Sequence, residues 1–516
     1  MSTGNWDRRH FLRAGGALSM LGTAAPFALQ MAAVGSASGQ SAPDYKALVC
    51  LFMFGGNDAN NMLLATDTDS WTRYYTTRNI GDEPIALMPV GTPATAVGQV
   101  SAFTKRTVEM NMPEAWGGVL PIVPNTVNPV PAGTVASARS FALHPALGPL
   151  RTLFNSGRLA AVANIGTLVA PVTKAAYQAK TATLPLNLFS HNDQVSTWQS
   201  GKTEGTKVGW GGRFADLLAS MNGNNTIFTG VSLAGNAVFL AGQSIAQYQI
   251  NTGNTPAVSI TGTSSTSVFG SSVAPSVMRD IIQSSTNTNL MGADYNDLTA
   301  RSISAAAGLN AAFQGASPAA IPAPTTYIHP STGVVAQNSL ALQLQSVAKM
   351  IAAGPSLGLK RQVFFVGIGG FDNHDYQNDM QPGLLTQVAH AMSYFDGVLG
   401  NIGGLDMRAN VTTFTASDFS RTFASNGDGT DHAWGGHHFV MGGAVKGKDI
   451  YGQFPTVGLD KGSFNNPDFA GSIMIPRVSV DQYGATMGRW LGASDSDLMT
   501  IFPNLKNFNS PYLGFL

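Results

Sequence analysis

The sequence has a single cysteine, Cys50, among 516 residues. That excludes an intramolecular disulfide framework and any thiolate-rich metal site. Cys50 lies in an apolar run and reads as a buried filler rather than a nucleophile. Charge is also scarce: 11% of residues are Asp, Glu, Lys or Arg, and the formal net charge is zero. Without clusters of lysine and arginine there is no basic surface for a phosphate backbone, so nucleic acid is excluded as a main partner. No run beyond the N-terminal region reaches the roughly 18 consecutive apolar residues that a membrane-spanning helix needs. Two catalytic signatures are missing as well: the Gly-x-Ser-x-Gly elbow and the Gly-x-x-x-x-Gly-Lys-Ser/Thr phosphate loop. Gly367-Ile368-Gly369 opens like a dinucleotide fingerprint, but Asp372 stands where its third glycine belongs.

The N-terminus carries an address. Asp7-Arg8-Arg9-His10-Phe11-Leu12-Arg13 precedes a mildly apolar stretch, rich in Gly and Ala, that runs from Ala14 to about Ala33. Paired arginines, an aromatic residue, a leucine and then a weak hydrophobic region resemble a twin-arginine export signal. Gly35 and Ala37 are small enough to place cleavage near Ala37, so residues 1–37 are expected to be a signal peptide. The expected location is periplasmic or extracellular, with the twin-arginine translocase as partner during export and no stable membrane span after cleavage.

Four short apolar runs read as buried strands, because each is brief, β-branched or aromatic, and ends in turn residues. They are Ala47–Phe54, Leu159–Ile165, Val363–Ile368 and Val411–Ala416. Leu384–Leu399 between the last two has helical spacing, and strand, helix, strand in this order predicts a largely parallel α/β sheet. Ala-rich helices are expected between Arg279 and Phe313 and from Leu340 to Ala353. One domain is expected over 45–516, with insertion-like segments at about 83–139 and 221–278. From Met221 to Met278 no residue is charged, and Ser, Thr, Asn and Gly dominate. That composition predicts extended polar segments and turns beside the sheet.

Three of the four strands end in an aspartate: Asp58, Asp372 and Asp418. Ligands of open α/β sheets bind outside the carboxyl ends of the strands, so these acids can share one crevice. His374 follows Asp372 closely. Downstream of Asp418, three of the nine histidines fall in Gly429-Thr-Asp-His-Ala-Trp-Gly-Gly-His-His438, where Asp431 adjoins His432. Imidazole and carboxylate together suit zinc, manganese or iron. The candidate ligands are therefore Asp58, Asp372, His374, Asp418, Asp431, His432, His437 and His438, for one or two divalent ions. Asp431 has a second reading, as a partner that orients a histidine through its far nitrogen. Arg421 offers a fork for an anionic substrate or a salt bridge to Asp418 or Asp428.

Several motifs together are similar to one family. They are Phe54-Gly-Gly-Asn-Asp58 with Asn61, Phe141-Ala-Leu-His-Pro145, Phe189-Ser-His-Asn-Asp-Gln194 with Trp198, and Gly209-Trp-Gly-Gly-Arg213. Gly370-Phe-Asp-Asn-His374, Ser417-Asp-Phe-Ser-Arg-Thr422, the histidine cluster and Arg489-Trp-Leu-Gly492 complete the set. The chain resembles the bacterial "domain of unknown function 1501" family, grouped with the alkaline-phosphatase and sulfatase superfamily. That resemblance implies a three-layer α/β sandwich with metal at the carboxyl ends of the strands, Asp58, Asp372 and Asp418 being the matching aspartates. It places Ser190, beside His191, at the nucleophile position, and the sequence departs from the superfamily pattern at Phe419, where a histidine is usual. The implied function is an exported metal-dependent hydrolase or transferase acting on phosphate or sulfate esters of small molecules or polymers. The alternative is a non-catalytic metal-binding or structural protein on the same fold.

Overall fold

The computed structural model describes residues 44–130, 138–223, 225–257, 262–263, 265–284 and 289–516. The expected signal peptide lies outside these residues. A nine-stranded sheet forms the centre. Its strands are β1 (Lys46–Met53), β2 (Leu159–Gly166), β3 (Gly230–Ser232), β4 (Tyr248–Gln249), β5 (Arg361–Ile368), β6 (Val411–Ser417), β7 (Gly436–Met441), β8 (Ile450–Tyr451) and β9 (Val478–Ser479). The spatial order is β8-β2-β7-β6-β1-β5-β3-β4, with β9 also on β2. All neighbours are parallel except β7, which runs antiparallel to β6 and to β2.

β1 explains why the sheet is buried on both sides. Its sequence KALVCLFM is apolar at nearly every position, as a central parallel strand must be when helices cover both faces. Ala47, Val49, Leu51 and Met53 enter one core, and Leu48, Cys50 and Phe52 enter the other. The first core is completed by helices α1 (Gly148–Asn155), α5 (Ser339–Leu357) and α6 (Gln377–Leu399), and by α4 (Leu290–Phe313). The second is completed by α2 (His191–Ser200), α3 (Trp210–Leu218) and α7 (Val480–Leu491). The protein is thus α/β with a mostly parallel central sheet, and among the described residues no helix is long and apolar enough to cross a membrane.

Two expected segments gain detail and one helix boundary moves. The uncharged stretch 221–278, expected as extended segments beside the sheet, joins it by supplying β3 and β4. In the stretch 83–139, Leu120–Ile122 pairs with Phe141–Leu143 in a small antiparallel sheet that also holds Leu63–Ala65. Helix α6 starts at Gln377, earlier than its apolar spacing suggests, with Pro382 inside it. Proline removes the hydrogen bond to the carbonyl four residues back. Here the Ser331 hydroxyl donates to that carbonyl, on Asn378, at 2.7 Å.

The register fixes where a site can form. Met53 lies opposite both Ile368 and Ser417, so β1, β5 and β6 end at one level. The loops after them leave the same edge of the sheet. They carry Asp58, Asp372 with His374, and Asp418 with the segment to His432.

Candidate metal centre

The loop after β1 begins with Gly55, whose φ of +112° suits glycine alone, and an added Cβ would lie 2.4 Å from the Asp372 nitrogen. The Gly55 N–H donates to both oxygens of Asp418 at 3.2 Å. Buried Asp418 in turn holds Nδ1 of His191, the first residue of α2, at 2.7 Å. A carboxylate there fixes the proton on Nδ1 and turns the Nε2 lone pair outward.

Two further histidines are held in the same way. His432 places Nδ1 2.7 Å from the Phe189 carbonyl, which only accepts, so this nitrogen carries the proton. Phe189 has φ of +76°, an uncommon backbone state for a residue with a side chain, and it aims that carbonyl. His374 Nδ1 lies 3.3 Å from Asp431, which also accepts from Asn426 at 3.2 Å. Main-chain pairing positions these loops: Arg421 and His432 form an antiparallel bridge, and the Thr430 N–H donates to the Asn373 carbonyl at 3.0 Å.

The free ring nitrogens meet. His432 Nε2 lies 3.1 Å from His191 Nε2 and 2.9 Å from His374 Nε2. Asp372 Oδ1 lies 3.3, 3.2 and 3.4 Å from the Nε2 atoms of His191, His374 and His432. These separations are close to the edge of about 3.3 Å between donors sharing a four-coordinate zinc ion. The donor atoms of His191, Asp372 and His432 all lie within 4.8 Å of one another, and His374 approaches the last two. The His191 pKa is raised by its hydrogen bond to Asp418, which outweighs burial. Burial lowers that of His432, with the charges of Arg421 and the other two histidines adding to it. Burial opposes ionisation of Asp372, but the hydrogen bond and charge of Arg421, with the histidines, hold its carboxyl below the usual range.

The expected ligands therefore divide. Asp372, His374 and His432 converge, and His191, expected beside a nucleophile, joins them. Asp418 and Asp431 stand behind histidines. Asp58 is not in the group: its carboxylate is taken up by Arg78, by the Asn60 N–H at 3.0 Å and by Gln377 at 2.8 Å. His437 and His438 are not in it either. They are neighbours on β7, and successive strand residues point to opposite faces. His437 stacks on Phe454 with ring centroids 4.7 Å apart, and His438 meets Trp198 edge-on at 4.9 Å.

Four other motif residues have defined places. The Ser190 hydroxyl donates to Asp193 at 2.9 Å, which occupies the proposed nucleophile with a local bond. Arg421 is buried and spends its donors on the carbonyls of Gly55, Gly56, Phe371 and Thr430 and on Asp372. It orients Asp372 and leaves no fork for a substrate. Phe419, in the place of a usual histidine, packs on the rings of His191 and His432 at 4.8 and 4.6 Å. Trp434 is a core residue, bonded to Thr167 at 3.3 Å.

Two expected results follow from this arrangement. Asp418→Asn keeps the shape but weakens the hold on the His191 tautomer, so divalent-metal affinity should fall about 10- to 100-fold, as read by competition with a chelating dye. His438 is buried and its pKa is pushed down to about 3. A folded pKa below the unfolded value near 6.5 means that stability is full above that value and drains away as pH falls towards 3. Between pH 7.5 and 5 this one side chain accounts for about 2 kcal/mol. Urea unfolding of His438→Gln should show a pH dependence smaller by about that amount.

Comparison with known proteins gives a family but no function. The family model described as "Protein of unknown function (DUF1501)" matches residues 45–500. No curated protein matches the chain. With the whole central sheet and every converging side chain inside the matched span, this protein belongs to the DUF1501 family.

Proposed function

We propose that the protein is an exported, alkaline-phosphatase-like protein that holds one divalent transition-metal ion on His191, His374, His432 and Asp372 and serves as a hydrolytic centre. One observation carries the reading. His432 Nε2 has a single lone pair, because Nδ1 bears the proton, yet two imidazole nitrogens and a carboxylate oxygen crowd it within 3.4 Å. That lone pair accepts a hydrogen from at most one of these neighbours, whereas a shared cation would meet every one of the crowded acceptors. A divalent ion bound here would act as a Lewis acid and lower the pKa of a water on it. The chain's own part is to fix direction: Asp418, Asp431 and the Phe189 carbonyl hold the three imidazoles, and Arg421 holds Asp372.

A single ion fits better than two. The aspartate after β1, which the family resemblance makes a ligand, carries the Arg78 guanidinium instead. Elemental analysis of protein purified from the exported fraction without chelator should find about one transition-metal ion per chain, as one structured donor set allows. Metal-free protein with an intact thermal transition would remove this reading. A second reading, a metal-binding protein without catalysis, is favoured by Phe419 over the imidazoles and by the local bond on Ser190.

A further inference from the structure

The charge around the donor set separates substrate classes. The side chain of Asp372 is 49% exposed and that of Asp431 61% exposed. Asp375, also exposed, adjoins His374, and Asp428 accepts from the Tyr376 N–H at 2.9 Å in the facing loop. With Asp418 behind His191, three carboxylates touch the imidazoles, and Asp375 and Asp428 add two more in the same pair of loops. Against them stands one guanidinium, Arg421, whose side chain is fully buried and each of whose three nitrogens is engaged. Among the described residues no other lysine or arginine forms an ion pair with any of the five. Arg78, the next cation along the sheet edge, is itself neutralised by Asp58 and has no exposed surface.

Resting on the metal reading above, we propose that this centre takes uncharged or cationic carbonyl compounds, esters or amides, and excludes phosphate and sulfate esters. A divalent ion removes only part of the negative charge of five carboxylates and one guanidinium. Sites that bind phosphoryl or sulfuryl groups add exposed arginines, lysines or backbone N–H groups that grip the non-reacting oxygens. Here the one suitable arginine faces inward, and an incoming dianion meets the exposed carboxylates of Asp372 and Asp431. An acyl carbonyl carries no charge to repel and needs only one contact to polarise its oxygen. Tyr376, two residues after His374, is 64% exposed and leaves its ring free for an apolar or cationic group.

The test reads binding rather than turnover. Whole protein is loaded with cobalt(II), and its visible absorption is followed during titration with inorganic phosphate and, separately, with imidazole at neutral pH. Imidazole is expected to change the band, while phosphate binds more weakly than about 1 mM. Asp375→Lys, which reverses one rim charge without touching a donor, is expected to tighten phosphate about tenfold. A wild-type phosphate constant tighter than about 1 mM, or no gain in the variant, overturns the proposal. So does a band indifferent to both probes, which would mean that no position on the ion is open. Absence of any cobalt band is a distinct result, since it removes the metal reading itself and this inference with it.

Discussion

His432→Ala should abolish stoichiometric metal binding while leaving the fold intact. Of the converging side chains, His432 is the only one whose ring nitrogen lies within 3.1 Å of two other imidazoles, so its loss opens the middle of the donor set. The loss in affinity should exceed the roughly 10- to 100-fold that removing an outer partner costs. Elemental analysis and chelator competition check it. The fold should survive because the side chain is 23% exposed and lies in a loop, outside both cores. Compared in chelator, variant and wild type should unfold within about 1 kcal/mol of each other in urea. His437→Ala is the informative contrast: it should keep its ion and lose stability, because that ring is buried against Phe454. An unchanged metal content in His432→Ala would place the ion elsewhere.

Arg78→Ala should destabilise the protein by about 3–5 kcal/mol, because removing one partner of a buried ion pair strands the other. The guanidinium is inaccessible to solvent and has no idle donor. Nη2 lies 3.1 Å from Asp58 and 2.9 Å from the Thr422 carbonyl, Nη1 lies 2.9 Å from Asn61, and Nε donates to the Phe423 carbonyl at 2.8 Å. Truncation leaves a buried carboxylate and two carbonyls short of donors. Asp58→Asn in the same chain should recover part of the loss, since the stranded group is then neutral. Equilibrium unfolding in urea measures both. A cost below about 1 kcal/mol for Arg78→Ala would contradict the buried pairing.

Much of the fold was legible because β1 and β5 are apolar on both faces, β6 is rich in β-branched residues, and all three lead into glycine or aspartate. Parallel strands under two helical layers have to look that way. Short edge strands were not legible: Gly230–Ser232 and Tyr248–Gln249 lie in a polar stretch with no alternating pattern to mark them. The site was half legible. Asp372, His374 and His432 followed from strand ends and ligand-type residues, but spacing alone could not divide the cluster after Gly429. Its first part is a loop and its last part is β7, and that change of backbone state sends His437 and His438 away from His432 into the two cores. His191 carried a signal in its motif, though it read as the neighbour of a nucleophile. The Phe189 carbonyl left no trace, because a main-chain acceptor has no residue type. Arg78 was missed because a helix-ending arginine usually faces solvent.

The level ends of β1, β5 and β6 have one further consequence. The converging side chains come from stretches about 180 and 60 residues apart in the chain, and short peptides containing any one of them hold at most two. Nothing local brings them together; only the correct register of the sheet does. A slip of one residue in β5 against β1 would turn Asp372 and His374 to other faces. Under the proposed metal reading, affinity is therefore a gauge of whole-molecule folding, and an ion captured at this edge would report that strands hundreds of residues apart have closed in register.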